Sequence, residues 1–233
     1  TLGALLFIIL AAACALTWYL TPANLTSLLN REASETINAD VKASNVRFTL
    51  WSTFPHFCVR IDSIKVRSRN FDSLSPAQLR QLPEHPDFLL STGPVSGEVN
   101  VLKLLQRKIW LSDLKAESLR LNLVAFSDSI TNYDIWPGAG RKREVPYFTT
   151  TSLRISGPGS IDYYSAVSQT SAAILLEGLS AVRADSSFQS YRIDLRGKVN
   201  ARVKQLQLLS GFPFRLDGRA DLSFDPFRIR LSD

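Results

Sequence analysis

YRIDLRGKVNARVKQLQLLSGFPFRLDGRADLSFDPFRIRL, residues 191–231, alternates apolar and polar side chains with almost no slip. Ile193, Leu195, Gly197, Val199, Ala201 and Val203 fall on one side of an extended strand. Arg192, Asp194, Arg196, Lys198, Asn200, Arg202 and Lys204 fall on the other. Ser210-Gly211-Phe212-Pro213 reads as a turn, after which Phe214, Leu216, Gly218, Ala220, Leu222 and Phe224 oppose Arg215, Asp217, Arg219, Asp221, Ser223 and Asp225. A period of two held this long predicts antiparallel strands with one solvated face. At about 3.4 Å per residue, Arg192 to Lys204 spans roughly 40 Å, well beyond the usual strand of about five or six residues.

Upstream, the same alternation predicts strands over Ala39–Trp51 and Phe57–Ser68, with Val59 and Ile61 out of phase with Ile64 and Val66, which predicts a bulge. Pro76, Pro83 and Pro86 exclude a central strand between Asp72 and Phe88, leaving a loop with a turn of helix. Val95, Val99 and Val101 resume the alternation, and Leu102–Gln106 reads as a brief helix or turn. Ile109–Ala125 makes two more strands, and Leu153 with Ile155, Ile161 with Tyr163 and Ile174 with Leu176 continue the series. No long helix is expected after Thr36.

The other end of the chain is different in kind. Leu2 to Leu20, LGALLFIILAAACALTWYL, carries no charge, and about 20 apolar residues are what a bilayer core requires. The segment reads as a transmembrane anchor over residues 1–20, with Trp18 and Tyr19 at its membrane interface. Cleavage after the small residues near Cys14 fits less well, because the apolar run continues past the cysteine to Leu20. Thr21-Pro22 is a helix cap and first-turn pair, and Leu25, Leu28, Leu29, Ala33 and Ile37 trace one stripe, so residues 21–38 read as a short juxtamembrane amphipathic helix. Residues 39–233 then form one β-rich domain. The chain begins within its apolar span and ends within the alternation of Phe227, Ile229 and Leu231, so it reads as cut at both ends.

The balance of 45% hydrophobic and 21% charged residues is that of a packed protein. The net charge of +6 admits acidic partners, but the basic residues mostly alternate with acids on the wet faces of strands, and only Arg141-Lys142-Arg143 forms a cluster. Nucleic-acid binding is not expected, since the aromatic residues sit on apolar faces or at turns. Cys14 and Cys58 carry no disulfide framework. His56 and His85 are isolated, the acids sit beside arginines, and Gly157-Pro158-Gly159 and Gly138-Ala139-Gly140 open no helix, so no enzyme, metal site or cofactor is expected.

A sequence order now stands out: the apolar span, Leu20-Thr21-Pro22 and a helix ending in Asn30, Ile37-Asn38-Ala39-Asp40-Val41, then Phe54-Pro55 leading into Val59-Arg60-Ile61-Asp62-Ser63-Ile64-Lys65-Val66. Val101-Leu102-Lys103-Leu104-Leu105, Lys108-Ile109-Trp110-Leu111, Leu119-Arg120-Leu121-Asn122-Leu123 and Thr131-Asn132-Tyr133-Asp134 follow. This resembles the amino-terminal region of the AsmA family over most of the chain. A departure is Ser129-Ile130, where the family often carries an Asp-Gly turn. The resemblance implies a long, twisted antiparallel sheet of the β-taco, chorein-like kind, similar to bridge-like lipid transfer proteins. It further implies a single-pass protein of the bacterial inner membrane with its body in the periplasm, moving phospholipid for outer-membrane biogenesis.

The residues themselves demand that the apolar face be covered, because contiguous exposed apolar patches are rare on monomers. Two accounts stand. In one, acyl chains of membrane lipids cover it, and Ile193, Leu195, Gly197, Val199, Ala201, Val203, Phe214, Leu216, Gly218, Ala220, Leu222 and Phe224 line a lipid groove, the small residues leaving room. In the other, a second sheet closes a dry β-sandwich that serves as a scaffold or assembly factor for envelope proteins, and the small residues permit close packing.

Overall fold

The computed structural model describes residues 21–49, 56–100, 108–135, 147–184, 190–224 and 227–232. The predicted membrane span with Trp18 and Tyr19, the Leu102–Gln106 turn and the Arg141–Arg143 cluster lie outside them. Among the described residues no helix is long and apolar enough to cross a membrane.

Thr21 starts the first helix as its sequence requires: its side chain accepts from the Asn24 N–H at 3.4 Å, and Pro22 follows at a position where no N–H is missed. Helix α1 (Pro22–Thr36) lays its apolar stripe on the sheet, Leu29 against Ala43, Val46 and Ile61, and Ala33 and Ile37 against Ala39 and Val41. A second, polar stripe does a different job. Thr26, Asn30 and Ser34 recur every four residues, a rise of about 6 Å, close to the two-residue repeat of about 6.8 Å in a strand. They run along the outer edge of strand β1 (Ala39–Ser44). Thr26 Oγ1 accepts from Val46 N at 2.9 Å, Asn30 Oδ1 from Ala43 N at 2.5 Å, and Ser34 Oγ from Val41 N at 2.8 Å. Asn30 Nδ2 returns a bond to Ala43 O at 3.2 Å. An edge strand that would otherwise offer free backbone groups is thereby sealed. Asn30→Ala strips two partly buried backbone groups of their partner and is expected to cost about 1–3 kcal/mol, read as a lowered urea midpoint at unchanged slope. An unchanged midpoint would mean that water replaces the side chain.

The remaining strands are β2 (Arg47–Thr49), β3 (His56–Ile61), β4 (Ser63–Ser68), β5 (Phe88–Thr92), β6 (Val95–Asn100), β7 (Lys108–Ala116), β8 (Leu119–Ala125), β9 (Tyr147–Thr150), β10 (Ser152–Ile155), β11 (Gly159–Ser165), β12 (Thr170–Arg183), β13 (Ser190–Val203), β14 (Leu206–Phe224) and β15 (Phe227–Ser232). All belong to one open sheet. Consecutive pairs are halves of five bent strands: β1 with β2, β3 with β4, β5 with β6, β7 with β8, and β10 with β11 each pair half for half with the next. The last of them lies along one edge of β12, and β13, β14 and β15 follow in order.

The bends align into a crease across the sheet, at Asn45, Asp62, Gly93-Pro94, Glu117-Ser118 and Gly157, and the bulge after Leu176 in β12 continues it. The predicted phase change between Ile61 and Ile64 is the break at Asp62. Side chains stitch the crease. Asn45, at φ 50, donates to Asp62 at 2.7 Å, Arg47 donates to the same carboxylate at 2.7 Å, and Ser118 Oγ accepts from Gly93 N at 2.9 Å.

Two expectations are corrected. The sheet is mixed, because β8 with β11, β7 with β10 and β7 with β9 are parallel. β9 begins opposite the start of β7, with Tyr147 paired to Lys108, and runs the same way; a parallel pair of this kind needs a long connection and not a hairpin. The turn expected at Ser210–Pro213 lies at Lys204-Gln205 instead, and Ser210–Pro213 is inside β14. Gly211 takes φ 62 and donates its N–H to Asn200 Oδ1 at 2.8 Å, which makes the segment an irregularity within the ladder where the register shifts past Val199.

Candidate functional site: an apolar sheet face

Register joins the apolar positions of separate strands into rows. One row runs Val41, Val66, Leu90, Leu121, Ile161, Ile174, Val199 and Phe212, each directly paired with the next. Its seven steps at about 4.8 Å per strand cover roughly 34 Å. A second row across the crease runs Ile61, Val95, Ala116, Ile155, Leu179, Leu195 and Leu216. Apolar packing continues across the crease: Ile64 and Leu119 from one side pack against Val95, Ala116 and Ile155 from the other.

Cover is uneven along these rows. At the α1 end Val41 and Val66 are 8% and 7% exposed, under Ala33, Ile37 and Ile135. Toward the other end Leu179, Leu195, Leu216, Ile174 and Val199 are only half-buried and Phe212 is 57% exposed. The face therefore starts as a closed core and finishes as an open one.

Polar groups lock the closed end. Asn132, fully buried, accepts from Val124 N at 2.8 Å and donates to Asn122 O at 2.8 Å and Pro86 O at 3.0 Å. Asn70 donates to Thr131 O and Asp134 O, both at 2.8 Å, holding the segment after β8 against the residues that follow β4. Arg67 reaches Asp87 at 2.6 Å, Asp72 at 2.5 Å and Asp40 at 3.2 Å, and Arg69 reaches Asp40 at 2.6 Å. The Asp40 carboxyl lies below its ordinary range, first because Arg69 hydrogen-bonds it; burial opposes this, and the Arg69 and Arg67 charges add to it. Hydrogen bonds to Asp72 and Asp87 hold the Arg67 guanidinium above its ordinary value.

Of the residues singled out in the sequence, Ile193, Leu195, Val199, Ala201, Val203, Phe214, Leu216 and Gly218 are half-buried on the apolar face, while Gly197 and Ala220 are buried. Leu222 and Phe224 sit in β14, paired with Ile229 and Phe227. The small residues do not all leave room. A Cβ on Gly197 would stand 2.3 Å from Leu175 O, so that glycine permits a close backbone approach beside the β12 bulge. Ala220 is paired with buried Tyr191, whose hydroxyl donates to Thr150 O at 3.0 Å.

A broad cavity of about 1,320 Å³ occurs elsewhere, lined by Lys65, His85, Arg120, Asn122, Asp162 and Leu175 among others. Among the described residues, Ala201 is the one predicted lining residue that reaches it. Lys65, Arg120, Asn122 and Asp162 alternate with the apolar-row residues along their strands, so the cavity belongs chiefly to the polar face. Among the described residues no group of three His, Cys, Asp or Glu side chains is placed to hold a metal ion. Comparison of the chain with protein-family models and with curated proteins gives no match.

Proposed function

We propose that the protein shields phospholipid acyl chains on the apolar face of its creased sheet, as part of lipid transport between bacterial envelope membranes of the kind its resemblance to the AsmA family implies. The observation that carries this reading is the row from Val41 to Phe212: apolar throughout and, among the described residues, closed under α1 at one end, half-buried from Leu90 to Val199, and exposed at Phe212. Such a row offers a continuous apolar path with polar residues on the reverse, and transfer along it requires no covalent chemistry. Among the described residues the strands form one sheet, which supports a lipid-covered face over a two-sheet sandwich scaffold. The membrane anchor at residues 1–20 and a periplasmic location of the remainder belong to the same proposal.

A photo-crosslinking amino acid placed in turn at Leu195, Val199 and Leu216, and at Arg192 and Lys198 on the reverse face, tests it in cells. Lipid adducts are expected at the first three positions and not at the last two. Equal labelling of both faces, or protein adducts alone at the apolar positions, would overturn the reading.

A further inference from the structure

Two hairpin tips stand side by side at one end of the sheet. The β11–β12 tip, Ala166–Gln169, and the β13–β14 tip, Lys204-Gln205, are joined by the Lys204 N–H donating to Gln169 O at 2.7 Å. Val167 is 62% exposed on the first, and Leu206 and Leu208 are 65% and 55% exposed on the second, with Leu209 and Phe212 following. The alternation of β14 breaks here at a register shift between Ala201 and Arg202, which leaves Leu208 without a direct partner on β13 beside Leu209, and both leucines are exposed.

The charges at this tip have one sign. Asn200 to Pro213 contains Arg202 and Lys204 and no Asp or Glu, and Ala166 to Ser171 contains no charge. Further along β13 and β14, Arg196 and Arg215 meet Asp194, and Lys198 meets Glu177 of β12. Arg202 and Lys204 form no ion pair with any described residue; Arg202 meets only the amide of Gln207, at 3.4 Å.

Large apolar side chains at a hairpin tip, beside two cations with no ion pair among the described residues, match the boundary layer of an anionic bilayer, where acyl chains take the apolar residues and phosphates the basic ones. We infer that the paired tips dock on a membrane surface, with Leu206, Leu208 and Val167 entering the acyl boundary and Arg202 and Lys204 on lipid phosphates. This contact does not depend on lipid lying along the sheet. A protein partner with an acidic, apolar surface is the competing occupant.

The test uses the full chain in vesicles, with an environment-sensitive fluorophore on a cysteine at Leu206 or Leu208, or at Asp217 as reference, and serine in place of the two native cysteines. With phosphatidylglycerol present, emission at the two leucines shifts to the blue and is quenched by nitroxide-labelled lipid, in the same vesicles or in vesicles added afterwards; Asp217 responds to neither. Arg202→Gln and Lys204→Gln each weaken the contact by about fivefold at low salt. No quenching at Leu206 and Leu208, or a blue shift that appears only on adding envelope protein, overturns the inference. Because vesicle contact is read apart from bound lipid, its failure leaves the proposal for the apolar face standing, and the reverse also holds.

Discussion

Leu195→Asp is expected to abolish co-purification of phospholipid while leaving the protein folded. Leu195 lies next to the last position of the second row, paired with Leu179 on β12 and Leu216 on β14. Its half-exposed side chain allows a carboxylate at this position to reach water when the face is empty, so folding is only modestly affected. An acyl chain laid over the row would remove that water and leave the charge without a partner. Burying even an uncharged polar group without a hydrogen bond costs about 2–7 kcal/mol, so a loss of roughly a hundredfold or more in bound lipid is expected. Arg192→Asp supplies the control: it lies on the same strand with its side chain on the opposite face, and it should retain lipid. Lipid is extracted from the purified variants and quantified by mass spectrometry, with circular dichroism as the check on folding. Equal lipid in Leu195→Asp and the parent chain would remove the groove from consideration at this row.

How far such a site can be read from the sequence depends on whether its signal is local. The alternation from Tyr191 to Phe224 is legible because each residue's face follows from its neighbours on the same strand, and the phase change between Ile61 and Ile64 is legible for the same reason. The rows are not. Nothing local says that Leu90 neighbours Leu121, or that Ile155 of one bent strand meets Leu179 of β12; register across loops decides it. Ser210–Pro213 shows the limit from the other side, since Ser, Gly and Pro mark a turn and an in-strand bulge alike. There the Asn200 side chain, taking the Gly211 N–H, makes the difference. Gly197 is misleading in a similar way: small size beside an apolar face suggests room, and the Leu175 carbonyl already occupies that room. The Thr26, Asn30 and Ser34 stripe was available as a four-residue polar period, but it acquires meaning only once β1 is known to be an edge.

The crease makes the second large effect. Apolar packing crosses it from one half of the sheet to the other, and at Gly157 the chain passes directly over the preceding bend. A Cβ on Gly157 would stand 1.8 Å from the Glu117 carbonyl oxygen and 3.1 Å from its carbon, both backbone atoms with no side-chain rotation to relieve them. Gly157→Ala must therefore push two strands apart at the point where β10 and β11 pair in parallel with β7 and β8. The expected destabilisation is about 3 kcal/mol or more, at the severe end for a single added methyl. Gly178 gives the contrast, because it sits at the same crease on β12, outside the positive-φ region, with nothing within 4 Å of the position a Cβ would take. Gly178→Ala should be neutral, or stabilising by about 0.5 kcal/mol through the reduced freedom of the unfolded chain. Urea titrations of both variants separate the two causes a glycine can have here. If Gly157→Ala unfolds at the parent midpoint, backbone contact does not set the bend, and the facing of Ile64 and Leu119 toward Val95 and Ile155 must be held by the side chains alone. If the two alanines diverge as expected, the geometry of the apolar face is fixed by a main-chain contact that no property of Gly157 or its neighbours in sequence announces.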